Sequence, residues 1–165
     1  MAPEVHESVI EIRAGDLRDP SAVYSGTGFF YVARTDDGFP IPMIMSSKSV
    51  LCDKAWLEFD FTLADEAGER IPGPAFVVHV DAGRLPILGH SNPSIDLAAV
   101  GIVGIIDQAA SVGKNLHAAY LSNSCFPQEL VQGHLGDYVE GRLFDEVGEL
   151  FKQAHRRSMI RVVHG

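Results

Sequence analysis

The clearest period along the chain is two. From Trp56 to Leu63, Leu57, Phe59, Phe61 and Leu63 fall on one side, and Trp56, Glu58, Asp60 and Thr62 on the other. That alternation predicts a strand with one buried face. Val9-Ile10-Glu11-Ile12 repeats the signal within Ser8 to Arg13, and Phe29-Phe30-Tyr31-Val32 is an aromatic and β-branched run suited to a pleated sheet. Asp36-Asp37-Gly38, with Pro40 and Pro42, marks a turn before a strand over Met43 to Val50. Ala64 to Pro74 is polar and rich in glycine and proline, which predicts a hairpin loop with Ala75 to Val80 as the returning strand. Ile95 to Ile106 is a continuous apolar run containing Gly101 and Gly104, and it predicts a fully buried strand that bends at its glycines.

About six short strands separated by turn signals predict a mainly β fold, a small closed barrel or a sandwich. The character changes after Asp107. Gln108 to Asn115 reads as a small-residue connection, and Pro127 to Gln132 as a single helical turn. Asp137 to Arg157 carries Val139, Leu143, Val147, Leu150, Phe151 and Ala154 at three- and four-residue steps, which predicts a C-terminal amphipathic helix. Its basic last turn suits the helix dipole. Gly141 and Gly148 each weaken that helix by about 1 kcal/mol relative to alanine. The expected division is a β domain over 1–136 and a helical or irregular extension over 137–165.

At 165 residues, with 46% hydrophobic and 21% charged side chains, the chain has the composition of one ordinary globular domain. Its net charge of −9 argues against general affinity for nucleic acid or anionic lipid, whose phosphates would repel this surface. Two cysteines, Cys52 and Cys125, are too few for a disulfide framework or a cysteine zinc site, so a reducing cytoplasmic setting is expected. The N-terminus lacks the layout of a signal peptide, and the longest apolar run is about half a membrane span. No membrane partner is expected.

Candidate chemistry is sparse. The seven histidines, His6, His79, His90, His117, His134, His155 and His164, lack metal-ligand spacing and read as surface or hydrogen-bonded side chains. No metal and no cofactor are expected. Gly26-Thr27-Gly28 enters a strand instead of opening a helix, so it lacks the helix terminus that binds phosphate. A tight turn or a close backbone approach accounts for it better. Asp36-Asp37 and Asp65-Glu66 read as solvated turns, and the two cysteines as small buried hydrophobes.

One ordered set is more specific. Gly26-Thr27-Gly28-Phe29-Phe30 is followed by Ile44-Met45-Ser46-Ser47-Lys48-Ser49-Val50 and then by His90-Ser91-Asn92-Pro93-Ser94-Ile95-Asp96-Leu97-Ala98. The set resembles the N-terminal barrel of bacterial trypsin-like serine peptidases. That family has a G-T/S-G-F-F strand, a strand ending in T-N-K-H-V with the catalytic histidine, and a D-L-A strand with the catalytic aspartate. The resemblance implies a single small antiparallel β-barrel, one half of a trypsin-like double barrel, with the C-terminal helical segment beside it. Asp96 matches the family's aspartate, as a vestige. Ser49 occupies the position of its histidine, and the G-x-S-G nucleophile motif does not occur in these residues.

Triad chemistry needs a serine hydroxyl, an imidazole to take its proton and a carboxylate to orient that imidazole. Ser49 cannot supply the imidazole's basicity near pH 7. The resemblance therefore implies a catalytically inactive relative, a pseudo-peptidase half serving as a binding or assembly module. The alternative is half of a split or truncated serine endopeptidase whose second barrel comes from another chain, with a base such as His90. Either way, the face that a second barrel would cover is expected to be apolar. It would take a protein partner or a second copy, or be covered by the Asp137 to Arg157 segment.

Overall fold

The chain folds as a mainly β protein around one curled antiparallel sheet, a half-barrel. The computed structural model describes residues 5–19, 21–34 and 37–122 and the backbone of 163–164. Its strands are β1 (Val9–Asp16), β2 (Val23–Arg34), β3 (Pro40–Ser46), β4 (Lys54–Ala64), β5 (Phe76–Asp81), β6 (Ile87–Gly89), β7 (Ala98–Gly101), β8 (Asn115–His117) and β9 (Val163–His164). They lie in the order β6-β7-β3-β2-β1-β4-β5-β9, and β8 pairs with the end of β4. Among the described residues two α-helices interrupt them, α1 (Lys48–Leu51) after β3 and α2 (Val103–Ser111) after β7. The expected C-terminal helix over Asp137 to Arg157, the turn over Pro127 to Gln132 and Cys125 lie outside the described residues.

Alternation sets the inside of the curl. Ile10, Ile12 and Ala14 of β1, Leu57, Phe59 and Phe61 of β4 and Val78 and Val80 of β5 are all buried, joined by Phe30, Ile44, Val100 and Ile105. Phe61 packs on both Phe30 and Phe59, each pair with ring centroids 6.0 Å apart. Burying a side chain of this size stabilises the fold by about 1.5–3 kcal/mol. The hairpin predicted from Ala64 to Val80 forms as expected, with Glu58 opposite His79 and Phe59 opposite Val78.

The part of the sheet formed by β3, β7 and the second half of β2 is apolar on both faces. Tyr31 and Ala33 of β2, Ile41, Met43 and Met45 of β3 and Ala99 of β7 form a second buried cluster, with Phe29, Leu88, Leu97 and Leu121 against it. These residues alternate with Phe30, Ile44 and Val100, which face the first cluster. Strands buried on both sides read as continuous apolar runs, and Ile41 to Met45 and Ala98 to Val100 do so. The Gly26-Thr27-Gly28 segment serves close approach. A Cβ on Gly28 would stand 2.7 Å from Ile44 Cγ2 and 2.9 Å from the Met45 carbonyl oxygen.

One expectation from the apolar pattern is corrected. Ile95 to Ile106 is not a single strand: only Ala98–Gly101 pairs, and the chain turns into α2 two residues later. The Ile102 N–H donates to the Pro42 carbonyl at 3.2 Å and the Ile106 N–H to the Ile102 carbonyl at 3.0 Å, so the backbone leaves the ladder for a helical turn. Ile105 and Ala109, four residues apart, bury one face of the helix. The stretch from Gln108 read as a connection thus begins as helix. It ends at Gly113, whose φ of +77° admits glycine readily. The Lys114 and Gly113 N–H groups then close on the Ala109 and Ala110 carbonyls, a Schellman stop.

Candidate functional site

Asp96 and Ser49, the two residues singled out by the resemblance, lie at one corner of the sheet around α1. The Lys48 N–H donates to Asp96 Oδ1 at 2.8 Å, supplying a partner for a first-turn amide that a helix cannot satisfy internally. The Ser49 hydroxyl, on the exposed side of α1, pairs with that of Ser47 at 2.9 Å. Lys48 Nζ donates to the Asn92 carbonyl at 3.1 Å and ties the loop to the helix. A Cβ on Gly26 would come 2.5 Å from Val50 Cγ2, so β2 needs a glycine where α1 packs on it.

His90 is buried, and its Nδ1 accepts from the Asn92 N–H at 3.0 Å. Burial and Asp53 push the neighbouring Cys52 thiol above its usual pKa, which leaves little of the reactive thiolate. The corner is bound to backbone and to hydroxyls.

A second cluster forms on the outer, polar face of β1, β4 and β5. Register sets Arg13 opposite Glu58 and Glu58 opposite His79, one residue from each of three adjacent strands. Arg13 Nε donates to Glu58 Oε2 at 3.0 Å, while its Nη1 and Nη2 donate to the two oxygens of Asp60 at 2.9 and 2.5 Å. His79 Nδ1 lies 2.9 Å from Glu58 Oε1, and donates to it when Glu58 is ionised. His79, and after it Arg13, hold the Glu58 carboxyl below its usual pKa, and Asp60 with Glu58 raises that of Arg13. The Trp56 indole stacks on His79 with centroids 5.0 Å apart. Gly15 leaves the space for it, since a Cβ there would stand 2.1 Å from Trp56 Nε1.

The polar face runs on into a cleft of about 140 Å³ lined by Glu7, Val9, Phe30, Asp60, Thr62, Arg70 and His117. β8 brings His117 directly opposite Thr62. The Ala119 N–H donates to the Glu7 carbonyl at 3.3 Å and holds the 3-10 turn Val5–Ser8 beside the exit of β8. His117 Nε2 is buried without a hydrogen-bond partner, 4.0 Å from Glu7 Oε1.

The outer face was legible as polar, because Glu58, Asp60 and Thr62 alternate with buried positions. Its partners Arg13, His79, His117, Glu7 and Arg70 were not singled out. The β4–β5 hairpin could have yielded the pair Glu58–His79, but Arg13 and His117 arrive through longer-range pairing. Among the described residues no group of three or more histidine, cysteine or acidic side chains could hold a metal ion. No helix among them is long and apolar enough to cross a membrane. Comparison with family models, curated proteins and solved structures finds no match to the chain.

Proposed function

We propose that this chain is a catalytically inactive relative of the trypsin-like serine peptidases, serving as a binding or assembly module. The observation that carries this reading is the bond from the Lys48 N–H to Asp96 Oδ1. Where the resemblance would have a carboxylate orienting an imidazole, the carboxylate caps a helical turn and the neighbouring side chain is Ser49. A hydroxyl bonded to another hydroxyl takes no proton from a nucleophile near pH 7. His90 makes a poor substitute base, because it is buried and its Nδ1 already accepts a backbone N–H. That weighs against a split endopeptidase that borrows this histidine.

The curled antiparallel sheet is compatible with the half-barrel this reading expects. The outer cluster at Tyr31, Met43, Met45 and Ala99 is already buried in the single chain. A protein partner or second copy would therefore meet a different surface, and the polar face of β1, β4 and β5 is the one with side chains arranged for contact. The test is labelling with a fluorophosphonate serine probe, alongside hydrolysis of mixed fluorogenic peptides. Neither labelling nor hydrolysis is expected. Labelling of a native serine that disappears on denaturation would overturn the reading.

A further inference from the structure

The cleft beside β8 contains opposite charges that do not meet. Arg13 engages both oxygens of Asp60, so that carboxylate is neutralised from outside the cleft. Glu7 and Arg70 remain, lining the same space with no ion pair between them. Among the described residues neither the Arg70 guanidinium nor the Thr62 hydroxyl has a hydrogen-bond partner. In a chain of net charge −9, an arginine left without a carboxylate is a conspicuous donor. His117 Nε2 adds a buried polar atom without a partner, and its 4.0 Å separation from Glu7 is too long for a direct bond. Leaving such an atom unsatisfied is costly, which makes it a marker for a bound polar group. Phe30 supplies an apolar wall.

The geometry points to a binding site for a small zwitterion, an α-amino carboxylate. Arg70, the Thr62 hydroxyl and a His117 Nε2–H donate to the carboxylate, Glu7 accepts from the ammonium, and the carbon side faces Phe30. A simple carboxylate would meet the Glu7 carboxylate with no ammonium to offset it, and a simple amine would meet Arg70 with no carboxylate to offset it. At about 30 Å³ per water, the volume is that of about five waters, enough for a carboxylate, an amine and the carbon between them. This site stands apart from the Ser49–Asp96 corner, and neither reading depends on the other.

The test is an NMR titration of the intact chain with L-alanine, following the Thr62 amide and the His117 ring, with acetate and ethylamine as separate arms. For so small and open a site the expected dissociation constant is about 1 mM. Acetate and ethylamine should each bind at least tenfold more weakly, as should alanine to Arg70→Met. Arg70 is exposed, so this variant keeps its fold, and Glu7→Gln is a second variant expected to lose alanine binding. The proposal is overturned if alanine gives no saturable shift by about 10 mM, ten times that constant. Acetate binding as tightly as alanine, or Arg70→Met binding alanine unchanged, would overturn it equally.

Discussion

The two halves of the sheet handle their outer faces differently. In β1, β4 and β5 one face packs the core, and the other holds Arg13, Glu58, Asp60 and His79 in a bonded row. In β3, β7 and the second half of β2 both faces are apolar, and Tyr31, Met43 and Met45 are as buried as Phe59 and Leu57. The first half can present charges because its strands alternate. The second half has no polar face to present, so it serves as the structural wall against which the other half is held. Among the described residues the row of bonded charges belongs to the alternating half.

Core truncations test that comparison most strongly. Phe59→Ala should cost about 3–5 kcal/mol and Met43→Ala about 2–5 kcal/mol, measured by denaturant unfolding. If Met43→Ala costs under about 1 kcal/mol, the second face is not a packed core and the comparison fails. Gly28→Ala, which drives a methyl against Ile44 and the Met45 carbonyl, should cost about 1–3 kcal/mol. Asp96→Ala should cost about 1 kcal/mol, as the loss of a helix cap does. Ser49→Ala should stay within about 0.5 kcal/mol, because its hydroxyl pairs only with another exposed hydroxyl.

The polar row is sharpened by pH. The Glu58 pKa is lowered in the folded chain from a usual value of 4.5. Its contribution to stability is therefore complete above about pH 4.5 and is lost as pH falls through the lowered folded value. Acid unfolding of Glu58→Gln should lack that part of the pH dependence. At neutral pH the substitution should cost about 1 kcal/mol, the scale of a partly exposed ion pair. An unchanged acid limb in Glu58→Gln would mean that the row is not held by this carboxylate.

Legibility followed the range of the interactions. The hairpin from β4 to β5 and the inward set Leu57, Phe59 and Phe61 could be read from spacing alone, because period and turn chemistry are local. The stop of α2 at Gly113 left a local signal too, but the apolar run before it masked the helix. A short apolar run satisfies a buried strand and a buried helix turn equally, and after the last bond to β3, from the Ile102 N–H, the Ile106 N–H turns back onto the Ile102 carbonyl. At the corner, the order of motifs brought attention to Ser49 and Asp96 without revealing that Asp96 is spent on the Lys48 amide.

The sequence by itself determined that β4 has one wet and one dry side, where its hairpin turns, and that no imidazole stands at position 49. These follow from residue identity and from periods of two. The tertiary structure alone decided which residues the wet side meets. Arg13 reaches Glu58 across 45 positions of chain, and His117 lies opposite Thr62 through a pairing that skips three strands and the helix α2. It also decided that the second apolar face is buried. Register and curvature of the whole sheet set these neighbours, and neither is a property of any short stretch of sequence.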